Sequence, residues 1–223
     1  MKATPNSFDP ASSVGASQLD SEQAAELCLT AARQFERGGR YAEAAAQYER
    51  VLQNRPQAPG VQHRLAVLYD RMEEHERASR SFQKALAESP VDGRLWNDYG
   101  FYHYQRGRWQ DAEQAYRRSC ELIPDMERNR VNLGMALAQQ GRSEEAYAEF
   151  TRVLSPAAAH SNLGMVLAQQ GRGAEAEAAF ERALACEPGL PQPRAARQLL
   201  QAATATTNRA TPASFEAPVS PAQ

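Results

Sequence analysis

Four histidines, three cysteines and a few adjacent acid pairs are the residues of this 223-residue chain best suited to chemistry. His63, His75, His103 and His160 could serve as general bases or metal ligands, but they are scattered at no ligand spacing. His103 and His160 read as packing histidines that face the interior. Cys28, Cys120 and Cys186 are odd in number and far apart. They fit neither a metal set nor a disulfide framework, so they are expected inside helices as small buried hydrophobes. The acid pairs Glu73–Glu74 and Glu144–Glu145 fall at turns and helix starts, where they are solvated or favour a helix N-terminus. There is no phosphate-cradling glycine loop with its lysine, no HExxH and no nucleophile elbow. The expectation is therefore a non-enzyme with no catalytic residues, no cofactor and no metal.

Composition narrows the class further. Hydrophobic residues make up 42% and charged residues 23% of the chain, as in ordinary water-soluble proteins. The formal net charge of -2 lacks the basic excess of nucleic-acid binders. No apolar run reaches the roughly 18 residues of a membrane span, and the first 23 residues hold no signal-peptide core. A cytoplasmic protein with no nucleic-acid or membrane partner is expected.

The elements that would position any site follow from internal repetition. NLGMALAQQGR at 132–142 returns as NLGMVLAQQGR at 162–172, ten of eleven positions being identical. A longer template of small and aromatic residues recurs five times. Ala44, Ala78, Ala112 and Ala146 are each 34 residues apart, and the last step, to Ala176, is 30. Apolar residues recur three and four apart, and Gly- or Pro-bearing breaks fall about every fifteen residues. This rhythm predicts pairs of helices, A and B, joined by tight turns, with no strands. Ala32, Ala66, Gly100, Gly134 and Gly164 let helix B approach helix A, and the repeated alanines sit where the two cross. Tyr48, Phe82, Tyr116, Phe150 and Phe180 are expected in the seam between neighbouring repeats. Ser155–Pro156 is an N-cap and first-turn pair, so helix B of the fourth repeat should stop near Leu154. Deleting about one turn there preserves the facing of the helices.

These residues, nearest to pattern in Trp96, Tyr99, Gly100, Ala112, Tyr116 and Pro124, resemble the tetratricopeptide repeat family. Departures are Glu73 for a turn glycine, His103 for a tyrosine, and the shortened fourth repeat. The resemblance implies an all-α, right-handed α-α superhelical solenoid of five helix–turn–helix repeats plus a C-terminal capping helix. Repeats are placed at about 25–58, 59–92, 93–126, 127–156 and 157–190, with the cap at 191–204. Together they form a domain over 21–204. The Ser-, Ala- and Pro-rich ends, 1–20 and 205–223, read as disordered tails.

The family binds ligands along its first helices, and the matching positions here name a candidate groove. It comprises Arg33, Arg37, Arg64, Arg94, Asn97, Phe101, Tyr104, Arg128, Asn132, Met135, Asn162 and Met165. Phe101, Tyr104, Met135 and Met165 make an apolar stripe suited to a partner's helix or extended peptide, unless the C-terminal tail or cap covers it. The arginines could receive an acidic segment or be a solvated face. The chaperone-tail clamp of the family is not reproduced, and Asp98 would repel its carboxylate. The function implied is a non-catalytic scaffold, monomeric, binding a protein or peptide of unknown identity in the groove. Two other readings are a component of a bacterial pilus or secretion assembly and a self-assembling oligomer. The stretch AAAHSNLG is loosely similar to repeat proteins of tight-adherence pilus systems. Those are commonly lipid-anchored, and this sequence shows no apolar leader or lipobox cysteine.

Overall fold

A computed structural model describes residues 20–198, which divide into two compact units at Pro90. The first holds α1 (Ser21–Arg37), α2 (Tyr41–Asn54), α3 (Val61–Arg71) and α4 (His75–Glu88). The second holds α5 (Gly93–Tyr104), α6 (Trp109–Leu122), α7 (Glu127–Gln139), α8 (Ser143–Thr151), α9 (Pro156–Gln169) and α10 (Gly173–Cys186), and residues 191–198 are also helical. No strand occurs among the described residues. Apart from Asp20, the two tails and residues 199–204 of the expected cap lie outside them.

Within each unit, consecutive helices pack as antiparallel hairpins, and each hairpin leans on the next. One turn geometry makes every hairpin. Gly39, Gly107, Gly141 and Gly171 lie at φ between 68° and 79°. The amide one residue later bonds back to a carbonyl five residues earlier, as in Arg40 N to Phe35 O and Arg142 N to Leu137 O. This is the Schellman arrangement, which needs a left-handed residue at that point. The residue carrying that amide then opens helix B. It is an arginine at Arg40, Arg142 and Arg172, each paired with a glutamate three residues on, at 2.5 to 2.8 Å.

Glu73 occupies the same turn position with φ 61°, a conformation that costs an L side chain about 1–2 kcal/mol. Replacing it with glycine removes that strain, less the extra backbone entropy of glycine in the unfolded chain. The Glu73→Gly variant should gain about 0.5–1 kcal/mol, read as a raised urea midpoint with unchanged slope. An unchanged or lowered midpoint would contradict this account of the turn.

The template residues have direct structural meaning. Ala44, Ala78, Ala112, Ala146 and Ala176 are fully buried where the paired helices cross. A Cβ placed on Gly100, Gly134 or Gly164 would stand 2.7, 2.5 or 2.6 Å from the ring of Tyr116, Phe150 or Phe180. Each of these three rings therefore lies on the glycine of its own repeat. Two small faces let the A and B helices approach until a ring fills the gap.

The fourth hairpin differs from the others. Helix B spans 14 residues in α2, α4, α6 and α10 but only nine in α8. It ends at Thr151, three residues earlier than expected, and the amides of Val153 and Leu154 both close on the Phe150 carbonyl. Ser155 then caps α9, its hydroxyl accepting from the Ala158 amide, with Pro156 in the first turn. Beyond α10, Pro193 is buried and Arg197 pairs with Glu181 at 2.7 Å and Glu177 at 3.5 Å. These contacts pin residues 191–198 across the end of the last hairpin.

The cysteines depart from expectation. Only Cys120 is buried; Cys28 is half-buried and Cys186 is exposed at the end of α10. A helix end has too few neighbours to cover a side chain, whatever its polarity.

Candidate functional site

In the second unit, helices α5, α7 and α9 lie side by side, and the candidate residues fall in columns across them. Phe101, Met135 and Met165 share one template position; Asp98, Asn132 and Asn162 share another. The polar residues are engaged in holding the helices together. The Asn132 side-chain amide donates to Asn97 Oδ1 at 2.9 Å, and Gln139 donates to the Tyr104 hydroxyl at 3.2 Å. Gln170 donates to the Ala138 carbonyl at 2.9 Å and to Gln139 Oε1 at 3.2 Å. Arg128 lies 3.7 Å from Asp98, and Arg94 is exposed.

Two sequence assignments change here. Asn97 is only 2% exposed and its oxygen is used by Asn132, so it is a strut between helices rather than a surface contact. Tyr104 is half-buried, edge-on to Trp109 at 4.9 Å, and its phenol pKa is raised by burial. The stripe is therefore uneven. Phe101 and Met165 remain 46% and 44% exposed, whereas Met135 between them is half-buried against the core.

In the first unit a cleft of about 780 Å³ opens along α1 and the start of α3. Arg33, Arg37 and Arg64 line it with Glu36 and His63, over apolar walls from Leu29, Pro59 and Val61. Arg64 is not free, another departure from the sequence reading. Its guanidinium grips the Glu36 carboxylate through both Nε and Nη2, the Nε bond at 3.2 Å. Tyr48 donates its hydroxyl to the same carboxylate at 3.1 Å. The Arg64 pKa rises through that bond, and the Tyr48 pKa rises through burial first and the Glu36 charge second. Glu36 and Arg64 are 28 residues apart, so no local spacing marked them as a pair. Arg33 and Arg37 project from successive turns of α1 and are exposed. Arg37 bends back to donate to the Arg33 carbonyl at 3.4 Å.

No cluster of three or more histidine, cysteine or acidic residues able to hold a metal occurs among the described residues. No helix among them is long and apolar enough to cross a membrane. His103 is buried in contact with the rings of Tyr99 and Tyr102, at 4.3 and 5.4 Å. Its Nδ1 has no hydrogen-bond partner.

Sequence models of the tetratricopeptide repeat match residues 29–58, 63–127, 130–150 and 157–190. The peroxisomal targeting signal receptor of Eremothecium gossypii is 34% identical over 110 residues, 49% of this chain and 19% of the receptor. The type IV pilus assembly protein PilF of Pseudomonas aeruginosa is 30% identical over 121 residues, 52% of this chain and 47% of PilF. The chain thus spans less than half the length of either curated relative. Among solved structures, Pseudomonas aeruginosa PilF superposes with a TM-score of 0.59 at 17% identity, covering 86% of this chain and 95% of PilF. YrrB, a repeat protein with an unusual peptide-binding site, gives 0.60 at 22% identity, covering 77% and 90%. At such identities the likeness shows the fold, an α-α superhelical repeat.

Proposed function

Because this chain belongs to the tetratricopeptide repeat family, we propose that it is a non-catalytic cytoplasmic scaffold that binds a partner's peptide or helix along its first helices. The family fold implies a protein–protein interaction scaffold. The observation that carries it is the exposure of Phe101 and Met165. Among the described residues only four large apolar side chains are exposed, and these two occupy one template position on α5 and α9. Packing does not require them to be large. Methionine adapts to varied partner surfaces, and a helix laid in a groove is read by such spaced apolar anchors. Asn132, Asn162, Arg94 and Arg128 form the polar border of this face, and residues 191–198 act as the terminal cap.

Burying two or three such side chains contributes about 1.5–3 kcal/mol each. A variant carrying Phe101→Ala, Met135→Ala and Met165→Ala should therefore lose its partner by about a hundredfold or more in affinity. The measurement is a pull-down from native lysate, quantified by mass spectrometry against wild type, after circular dichroism shows equal helicity. Equal recovery of every partner by both proteins would remove this face as the site.

A second reading, a component of a pilus assembly, is favoured by the 30% identity to PilF. Recovery of pilus proteins as the groove-dependent partners would select it. Self-assembly through the same face predicts a mass that rises with concentration in light scattering, and the monomer proposed here predicts none.

A further inference from the structure

The cleft of the first unit is built differently from the apolar face of the second, and its charges are unevenly committed. Three arginines and one glutamate line it. Arg64 and Glu36 neutralise one another in a two-point contact, and Glu36 is sunk to 17% side-chain exposure beneath the Tyr48 hydroxyl. That leaves two positive charges, Arg33 and Arg37, four residues apart on one face of α1. Like charges at this spacing destabilise a helix by a few tenths of a kcal/mol. Neither forms an ion pair with a carboxylate among the described residues. Beside them Leu29 and Pro59 offer apolar surface.

We propose that this cleft docks an acidic, partly apolar peptide segment of a partner protein through Arg33 and Arg37, with Glu36 as a built-in competitor that withholds Arg64 from it. The proposal rests on the reading of the chain as an interaction scaffold and names the partner chemistry of a second face. Guanidinium forks match carboxylates in a two-point geometry, which is the contact Glu36 already makes with Arg64 inside the cleft. The ligand comes from another molecule, since residues 1–19 and 199–223 of this chain carry one acid each, Asp9 and Glu216. The chain's net charge of -2 disfavours a nucleic-acid polyanion in the same place.

The competitor gives the test two opposite signs. Fluorescence anisotropy of the full-length protein is measured with a labelled short peptide of alternating leucine and glutamate. A leucine–glutamine peptide and a labelled single-stranded oligonucleotide serve as comparisons. The glutamate peptide should bind, and the glutamine peptide should bind about tenfold more weakly. The double variant Arg33→Gln/Arg37→Gln, altered only at exposed positions, should lose about tenfold or more. Glu36→Gln should bind several-fold more tightly, because Arg64 is released. The Phe101→Ala/Met135→Ala/Met165→Ala variant should bind this peptide like wild type, so failure of the apolar face and failure of the cleft are separable. The proposal is overturned if the two peptides bind equally, if the arginine double variant is unaffected, or if the oligonucleotide binds more tightly than the peptide. Weaker binding by a folded Glu36→Gln variant overturns the competitor role.

Discussion

Truncating Phe150 to alanine should lower the unfolding free energy of the second unit by about 3–5 kcal/mol, near the top of the range for core aromatics. The ring is 0% exposed and rests on Gly134, where no side chain exists to swing into a vacancy. Helix α8 buries less than the other B helices of this unit. Its buried residues are Ala146 and Phe150 alone, whereas α6 buries Ala112, Ala115, Tyr116, Ser119 and Cys120. The tight turn that brings α9 back also hangs on the Phe150 carbonyl. Loss of the ring therefore removes the one fully buried large side chain of α8. A double-mutant cycle sharpens the prediction. In wild type, Gly134→Ala meets the ring and should cost about 1–3 kcal/mol. In the Phe150→Ala background the same methyl enters empty space and benefits from alanine's helix propensity, about 1 kcal/mol over glycine. The two substitutions should thus be strongly non-additive. Urea unfolding followed by circular dichroism measures all four proteins, and additive effects would show that Gly134 and Phe150 do not meet as described.

The second large effect is one of pH. Burial is the main reason the His103 pKa is lowered, to about 4, with the nearby Arg108 and then Arg106 adding to it. Asp111 opposes them, but at 3.6 Å from Nδ1 and half-exposed it is too far for a hydrogen bond, and Nδ1 has no hydrogen-bond partner. The folded state therefore holds His103 neutral, while an unfolded histidine titrates near 6.5. Between those values the unfolded chain binds more protons, so stability falls as pH falls. It is flat above about 6.5 and declines towards 4, by up to about 3 kcal/mol for this one group. His160, whose pKa is also lowered by burial, adds a contribution of the same sign. The exposed carboxylates with lowered pKa, Glu43, Glu145 and Glu175, lose their contribution only at lower pH, as they become protonated. Urea titrations at pH 7, 6 and 5 isolate the histidine range. The slope should be largely removed by His103→Gln, and a slope unchanged by that substitution would assign it elsewhere.

Much of this protein is determined by its sequence alone, because its repeats make the same physical statement several times. A left-handed turn position recurs as Gly39, Gly107, Gly141 and Gly171, and its one exception, Glu73, is legible as an exception because the others define the place. The small residue under each aromatic is likewise legible, since helix pairs in close approach allow no alternative at Gly100, Gly134 and Gly164. Even the 30-residue step could be placed, with Ser155 and Pro156 marking where the next helix begins. Local chemistry acts over a turn or two of helix, and one sequence window contains all of it.

Surface identity is different, because it depends on who stands opposite whom. Asn97 and Phe101 are four residues apart on one helix and both occupy ligand-facing template positions. Only the approach of Asn132, 35 residues away, makes the first a buried strut and leaves the second exposed. Arg64 reads in sequence as a free cation beside Arg33 and Arg37, yet Glu36 and Tyr48 converge on it from the preceding hairpin. Cys186 reads as core and is exposed because its helix ends there. Repetition determines the packing between helices, whereas side-chain partners across hairpins are chosen by distances that no spacing along the chain encodes.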